Sequence, residues 1–443
     1  MVEDKSLTLP NNFFWTFAGN AVYAASQWGM LVVLAKLTSP EKVGQFTLGL
    51  AITAPVIMFT NLQLRAVQAT DAKHQYRFGD YLALRLITTA LALLIIVGIV
   101  SLAGYREEIA LVILVVGLAK AFESISDVFY GLLQQHERMD RIAKSMIIKG
   151  LLSLVALGLG VQLTGSIVWG TLGLALVWAL ILLSYDIRSG AWILGSHRTL
   201  IGLKPPREAG TVSELRPTLS IETLRKLTQL TLPLGFVMLL ISLNPNIPRY
   251  FVEGYLGERE LGIFAALAYI MVAGNTVVNA LGTAAAPRLA KYYAEGMTEA
   301  FNALLLKLAG MGMLLGVAGV LVAYVAGSEV LTLLYGPAYA TYVGVFIWLM
   351  IAAGIQYVAA FLGYGITAAR YFKVQVPLHA GVAAVTGVAC TVLVPYHGFY
   401  GAASAVIASA VFMLGATALI TMYALRNNAE RKDDEHQTRF WRV

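Results

Sequence analysis

The chain has 443 residues, 58% of them hydrophobic and only 13% charged, with a formal net charge of +7. Soluble domains carry about 25% charged residues, so this composition excludes an ordinary soluble protein and describes a polytopic membrane one. With no soluble domain to present a basic face, the positive charge speaks for basic loops lying against an anionic leaflet rather than for nucleic-acid binding.

A spanning helix needs about 20 consecutive, mostly apolar residues. Twelve such runs follow one another, beginning near Phe13, Gly44, Tyr81, Ile109, Ile142, Ser166, Leu227, Gly262, Phe301, Tyr342, Val374 and Gly401. The start, MVEDKSLTLP, is polar and the first apolar run is full length, which is not the pattern of a cleavable signal peptide. The expected fold is therefore an all-α polytopic membrane protein of about twelve transmembrane helices. The six-helix lobes are expected over 1–188 and 227–425, joined by a cytoplasmic linker over 189–226 and followed by a cytoplasmic tail over 426–443. The linker contains LKPPREAGTVSELRPT, whose paired prolines, glycine and mixed charges suit a flexible connection. On the other side the loops are short. The longest, AGSEVLTLLYGPAYA from Ala326, has room for one short interfacial helix, with its tyrosines expected in an interfacial belt. The single cysteine, Cys390, lies in an apolar run and reads as a packing residue.

Orientation follows from lysine and arginine. If the N-terminus is cytoplasmic, most of the 32 basic residues fall on cytoplasmic loops, tails and helix ends, and the outer faces hold only Lys36, Lys42, Arg106, Arg249 and Arg259. The positive-inside rule then puts both termini in the cytoplasm. Internal similarity supports two halves: KVGQF from Lys42 aligns with ELGIF from Glu260, GLLQQHER from Gly131 with GYGITAAR from Gly363, and Gly170 before TLGLAL with Gly401 before AASAVI. Spacing by six helices preserves direction across the membrane, so the repeat is parallel, with a pseudo-twofold axis along the membrane normal.

The stretch GLAKAFESISDVFYGLLQ from Gly117 raises the functional question, because Lys120, Glu123 and Asp127 sit inside an apolar run. A central Lys or Asp costs about 2.5–3.5 kcal/mol to insert, against about 0.3–0.6 returned by each Leu, Ile, Val or Phe. Three charges nearly cancel the fourteen such residues between Ile109 and Leu133. Lys120, Glu123, Asp127, Gly131 and Gln134 fall within an arc of about 80° of helix surface. They form one polar stripe. It is either a buried structural ion pair at helix-neighbour spacing or the wall of a water-filled cavity between the halves, and a net charge of −1 favours the cavity.

Other polar positions fit the same pathway. Asn61 and Arg65 recur at four-residue spacing in the second span, as do Asn275, Asn279 and Thr283 in the eighth, where helix-to-helix hydrogen bonding is the competing account. In the seventh span, NPNIPR from Asn244 to Arg249 has two prolines that free backbone carbonyls. Arg249 binds an anion or snorkels to the outer interface, and Lys36 has the same two readings. No G-x-x-x-x-G-K-[ST] loop is present for nucleotide phosphates, and no His or Cys pattern has metal-ligand spacing. No cofactor is expected beyond a coupling proton or sodium ion.

LAKLTSPEKVGQFTLGLAI from Leu34 resembles the first outer turn of bacterial polysaccharide (Wzx-type) flippases, the O-antigen and exopolysaccharide exporters. YLGERELGIFAALAYIMVAGNTVVNALGTAAAPRLAKYYAEG from Tyr255, VLTLLYGPAYATY from Val330 and VPYHGFYGAASAVIASA from Val394 are similar as well. Their superfamily also holds the lipid II flippases and the multidrug and toxic-compound extrusion pumps. The resemblance runs over nearly the whole chain. It implies a two-lobed, alternating-access transporter, not an enzyme, in a bacterial inner membrane. Its implied partners are a polyprenyl-diphosphate-linked oligosaccharide as cargo, membrane lipids and other polysaccharide-biosynthesis proteins, with the chain itself a monomer. Such a cargo needs cations along its path, for which Lys36, Arg65, Lys120, Arg249, Arg288 and Arg370 are candidates, while Glu123 and Asp127 suit a coupling ion. The chain is too short for the fourteen helices of the lipid II flippases, and no cation-site motif of the drug pumps can be matched. The rival reading is a cation-coupled drug or metabolite antiporter of the same superfamily.

Overall fold

The structure is a computed structural model and describes residues 9–71, 73–200 and 215–440. Among these, all regular structure is helical. Residues 201–214, most of the proline-rich part of the expected linker, and 441–443 of the expected tail lie outside the described residues.

The first spans are α1 (Leu9–Leu37), α2 (Pro40–Thr60) with the short α3 (Leu64–Thr70), α4 (Phe78–Ala103), α5 (Glu107–Gln135) and α6 (Met139–Thr164). The sixth is α7 (Ile167–Ile181), which passes through a π-helical turn at Leu182–Asp186 into α8 (Ile187–Leu200). After the linker come α9 (Ile221–Leu256), α10 (Glu258–Ala294), α11 (Thr298–Tyr335), the single turn α12 (Pro337–Ala340), α13 (Val343–Ala368) and α14 (Gln375–Phe440). Ten helical stretches are long and apolar enough to cross a membrane. The last of them bends at Gly398 (φ 53°, ψ −125°), a left-handed conformation that glycine adopts without penalty, so it forms two spans. With α1, which is 29 residues long, the described residues hold the twelve expected spans.

Lipid-facing surface is evident on several helices. Leu94 on α4 is 69% exposed and Leu163 on α6 is 80% exposed, and a soluble protein would not leave such apolar faces uncovered. The chain divides into two compact units, Met1–Ser242 and Leu243–Val443, so the division falls within α9. In the first unit α5 packs against α2, α4 and α7, and in the second α13 packs against α10, α11 and α14. α5 and α13 are the fourth spans of the two repeated halves, so each half is built around the same helix in the same neighbour order.

The ends of the expected linker are ordered. α8 continues helix to Leu200, and Leu215 is buried in the apolar cluster of the first unit with Leu62, Tyr81 and Leu132. The Thr218 amide donates to the Gly79 carbonyl at 2.9 Å, which ties the chain to the start of α4. In the loop before α4, Asp71 accepts from the Gln75 and Tyr76 amides and the Tyr81 hydroxyl. Burial alone would raise the Asp71 pKa, but these donors together with His74 hold it below the ordinary value.

The loop from Ala326 does hold short helix, as the end of α11 beyond a kink at Ala326 and as α12. Its tyrosines differ from expectation. Tyr335 and Tyr339 are each 1% exposed, with ring centroids 5.4 Å apart, because the turn at Gly336 (φ 107°) folds both rings into the unit instead of into a lipid-facing belt.

Candidate functional site

The charged stripe on α5 faces a cavity of about 520 Å³, and all of its lining residues belong to the first unit. Lys120, Glu123, Asp127 and Gln134 line it from α5, Asn61 from just past the end of α2, Arg65 from α3, and Tyr23 from α1. Four residues of the stripe expected from helical spacing share this wall, while the fifth, Gly131, is buried against Gln68 and Arg65 and does not line it. The approach of Asn61 to Arg65 is not the simple helical one that their spacing suggests. Leu62 and Gln63 take positive φ values of 51° and 52°, which break the helix between α2 and α3. Non-glycine residues in that region carry strain and cluster at functional sites.

Each charge has a defined partner. Lys120 Nζ pairs with Glu123 Oε2 at 2.8 Å and stands 4.8 Å from the centroid of the Trp178 ring. The Tyr23 hydroxyl donates to the other Glu123 oxygen. Asp127 does not pair along the helix. Arg65 Nη1 reaches its Oδ1 at 3.4 Å and Arg85 Nη2 its Oδ2 at 3.2 Å, while Arg65 Nε also donates to Gln134 Oε1 at 3.1 Å. Arg85, whose side chain is fully buried, donates through its other terminal nitrogen to Asn61 Oδ1.

Two of these cations revise the sequence reading. Arg85 and Lys149 count there among the cytoplasmic helix ends, yet both are buried inside the first unit. Lys149 also lines the cavity. Lys149 lies ten residues into α6, about 15 Å along the axis, too deep for a snorkelling side chain to reach the interface with ease. The charge balance changes as a result. Among the described residues, Lys120, Arg65 and Lys149 line the cavity with only Glu123 and Asp127, so the wall is net positive where the stripe alone was net negative. Behind it, Arg85 and Asp186 add one charge of each sign.

The remaining expected site residues do not join this constellation. In the second unit, Asn244 Nδ2 lies 3.4 Å from His379 Nδ1 and Arg249 Nη1 donates to Asn246 Oδ1 at 3.0 Å, so Arg249 is half-buried and bonded rather than free at an interface. Asn279 accepts from Tyr364 at 3.4 Å, which supports the helix-to-helix reading for that residue; Asn275 is half-buried on the same helix. Lys36, Arg288 and Arg370 are exposed. The central helix of this unit, α13, carries no charged residue. Among the described residues, every charge that lines this cavity belongs to the first unit.

The arrangement can hold an anion against a positively biased wall, with two carboxylates available to exchange a proton or small cation. Comparison with known proteins bears on the setting. The family model for polysaccharide biosynthesis protein matches residues 9–293. The capsular polysaccharide biosynthesis protein CapF of Staphylococcus aureus is 28% identical over 396 residues, covering 88% of this chain and 94% of that protein. Among solved structures, an inward-facing multidrug resistance MATE family transporter of the MOP superfamily aligns with a TM-score of 0.71 at 13% identity, over 94% of this chain and 99% of that one. A MOP superfamily transporter from Pyrococcus furiosus, described as having a binding pocket of reversed polarity, aligns with a TM-score of 0.60 at 15% identity over 95% of each chain. The fold is that of these transporters, and the protein is a multi-pass member of the polysaccharide biosynthesis protein family.

Proposed function

We propose that this chain translocates a polyprenyl-diphosphate-linked oligosaccharide from the cytoplasmic to the outer leaflet of a bacterial inner membrane by alternating access, for surface polysaccharide synthesis. The observation that carries this reading is the net-positive cavity wall of Lys120, Arg65 and Lys149 against Glu123 and Asp127 inside the membrane-spanning part of the first unit. A diphosphate entering a low-dielectric site needs such an excess of cations. A cationic drug would meet repulsion there, which disfavours the antiporter alternative. The capsular function named for the Staphylococcus aureus relative points to the same class of cargo. Both termini are cytoplasmic in this reading, and one chain suffices.

The test is deletion in the native host with complementation. Loss of surface glycan, with the lipid-linked intermediate trapped on the inner leaflet and rescue abolished by Lys120→Ala, is the expected result. Normal surface glycan in a strain with no second flippase, together with new drug sensitivity, would replace this reading with the antiporter.

Glu123 and Asp127 carry the coupling ion in this scheme. The double variant Glu123→Gln with Asp127→Asn is expected to cut export roughly tenfold or more and to remove its dependence on the ion gradient. Full gradient-dependent export at wild-type protein level would end the coupling role.

A further inference from the structure

Lys149 differs from the other cations of the cavity in what holds it. Lys120 and Arg65 pair with carboxylates that also line the cavity, whereas the carboxylate partner of Lys149 is Asp186, which does not. Asp186 is fully buried at the end of the π-helical turn Leu182–Asp186, and such turns occur frequently at functional sites. The three ammonium protons of Lys149 are all engaged, by Ser126 Oγ at 3.0 Å, Tyr130 Oη at 3.1 Å and Asp186 Oδ2 at 3.4 Å. The ion pair is the longest of the three and well beyond the usual charge-assisted distance of about 2.7–2.9 Å. Asp186 is held tightly from its other side, where Ser145 Oγ donates to Oδ1 at 2.6 Å. The carboxylate therefore has an anchor of its own, and the lysine is its loosest contact. A second observation points to a donor available at the same wall. Ser124, on the same cavity wall, is 2% exposed, and its hydroxyl has no hydrogen-bond partner among the described residues, a state that buried polar groups rarely keep.

We propose that Lys149 is a held-back cation of the cavity wall, its ammonium turned toward Asp186 until a phosphoryl oxygen of an anionic ligand takes one of its protons, with the Ser124 hydroxyl as a further donor. Asp186 keeps its bond from Ser145 and the Lys149 charge stays beside it, so the buried carboxylate remains balanced, while the lysine turns one proton to the ligand. This gives the cavity a low affinity when empty and an added charge-assisted contact once an anion arrives. It rests on the reading of the cavity as the seat of a diphosphate-bearing cargo.

Inorganic pyrophosphate binding to the purified full chain in detergent, measured by calorimetry at fixed ionic strength, tests it. Asp186→Asn removes the competing charge and is expected to tighten binding roughly tenfold. Ser126→Ala, a smaller change at a residue that does not line the cavity, frees one ammonium proton and is expected to tighten binding in the same direction by a few fold. Lys149→Gln in the Asp186→Asn background is expected to erase the gain. If neither single variant binds pyrophosphate more tightly than the wild type, including the case in which none binds at all, Asp186 and Lys149 are a structural pair and the proposal is overturned. Cargo translocation is judged separately by surface glycan in the complemented deletion strain, so the flippase reading can survive that result.

Discussion

Arg85→Met is expected to destabilise the first unit by about 3–5 kcal/mol and to abolish export. Arg85 is fully buried and supplies the 3.2 Å partner of Asp127 Oδ2. Without it, Asp127 keeps only the 3.4 Å contact to Arg65, and Asn61 loses the donor at its side-chain oxygen. A carboxylate left with one cation at 3.4 Å is more costly than the loss of the pair as a whole, since desolvation of the charge remains while its shorter attraction is gone. The double variant Arg85→Met with Asp127→Asn should therefore be more stable than the single one. Thermal unfolding in detergent reads both. Equal midpoints for Arg85→Met and the wild type would mean that Arg85 does not balance Asp127.

Gly316→Leu should prevent the second unit from folding, at a cost of more than about 3 kcal/mol, since even ordinary overpacking costs about 1–3 kcal/mol. α11 crosses α13 at Gly316 and Gly354. A Cβ on Gly316 would run into the Gly354 Cα, and one on Gly354 would lie 3.0 Å from the Gly316 Cα. The obstacle is main chain, which has no rotamer to escape to. Small residues at such crossings let membrane helices approach closely where no hydrophobic effect drives them together. Gly310, on the same helix, has open space around its Cβ position, so Gly310→Leu should be tolerated. Size-exclusion profiles of the two variants make the comparison, and a monodisperse Gly316→Leu peak at wild-type yield would contradict the packing argument.

The candidate site was partly legible before the fold was known. The stripe of Lys120, Glu123 and Asp127 is visible because charges at helical spacing in an apolar run have few explanations, and the structure sets them on one cavity wall. Asn61 and Arg65 also reach that wall, although through a left-handed break that their spacing does not announce. Arg85 and Lys149 were hidden by their positions near the starts of apolar runs, where a basic residue usually marks an interface. The signal that could have exposed them is depth: each is flanked on both sides by apolar residues, in LALRLIT and MIIKGLL. Asp186 was harder still, since its inward direction depends on the π-helical turn.

By itself the sequence determined that this is a membrane protein of twelve spans in two repeated halves with a charged fourth helix, and its resemblances pointed to the family. Those properties depend on local apolarity, length and spacing, which do not require knowing which helices touch. Only the tertiary structure decided the partners of each charge, the net positive sign of the cavity wall, and the inclusion of Arg85, Lys149 and Asp186 in the constellation. Electrostatic energy depends on distances between residues far apart in the chain, and α3, α4, α5, α6 and the π-helical turn bring those charges together only on folding.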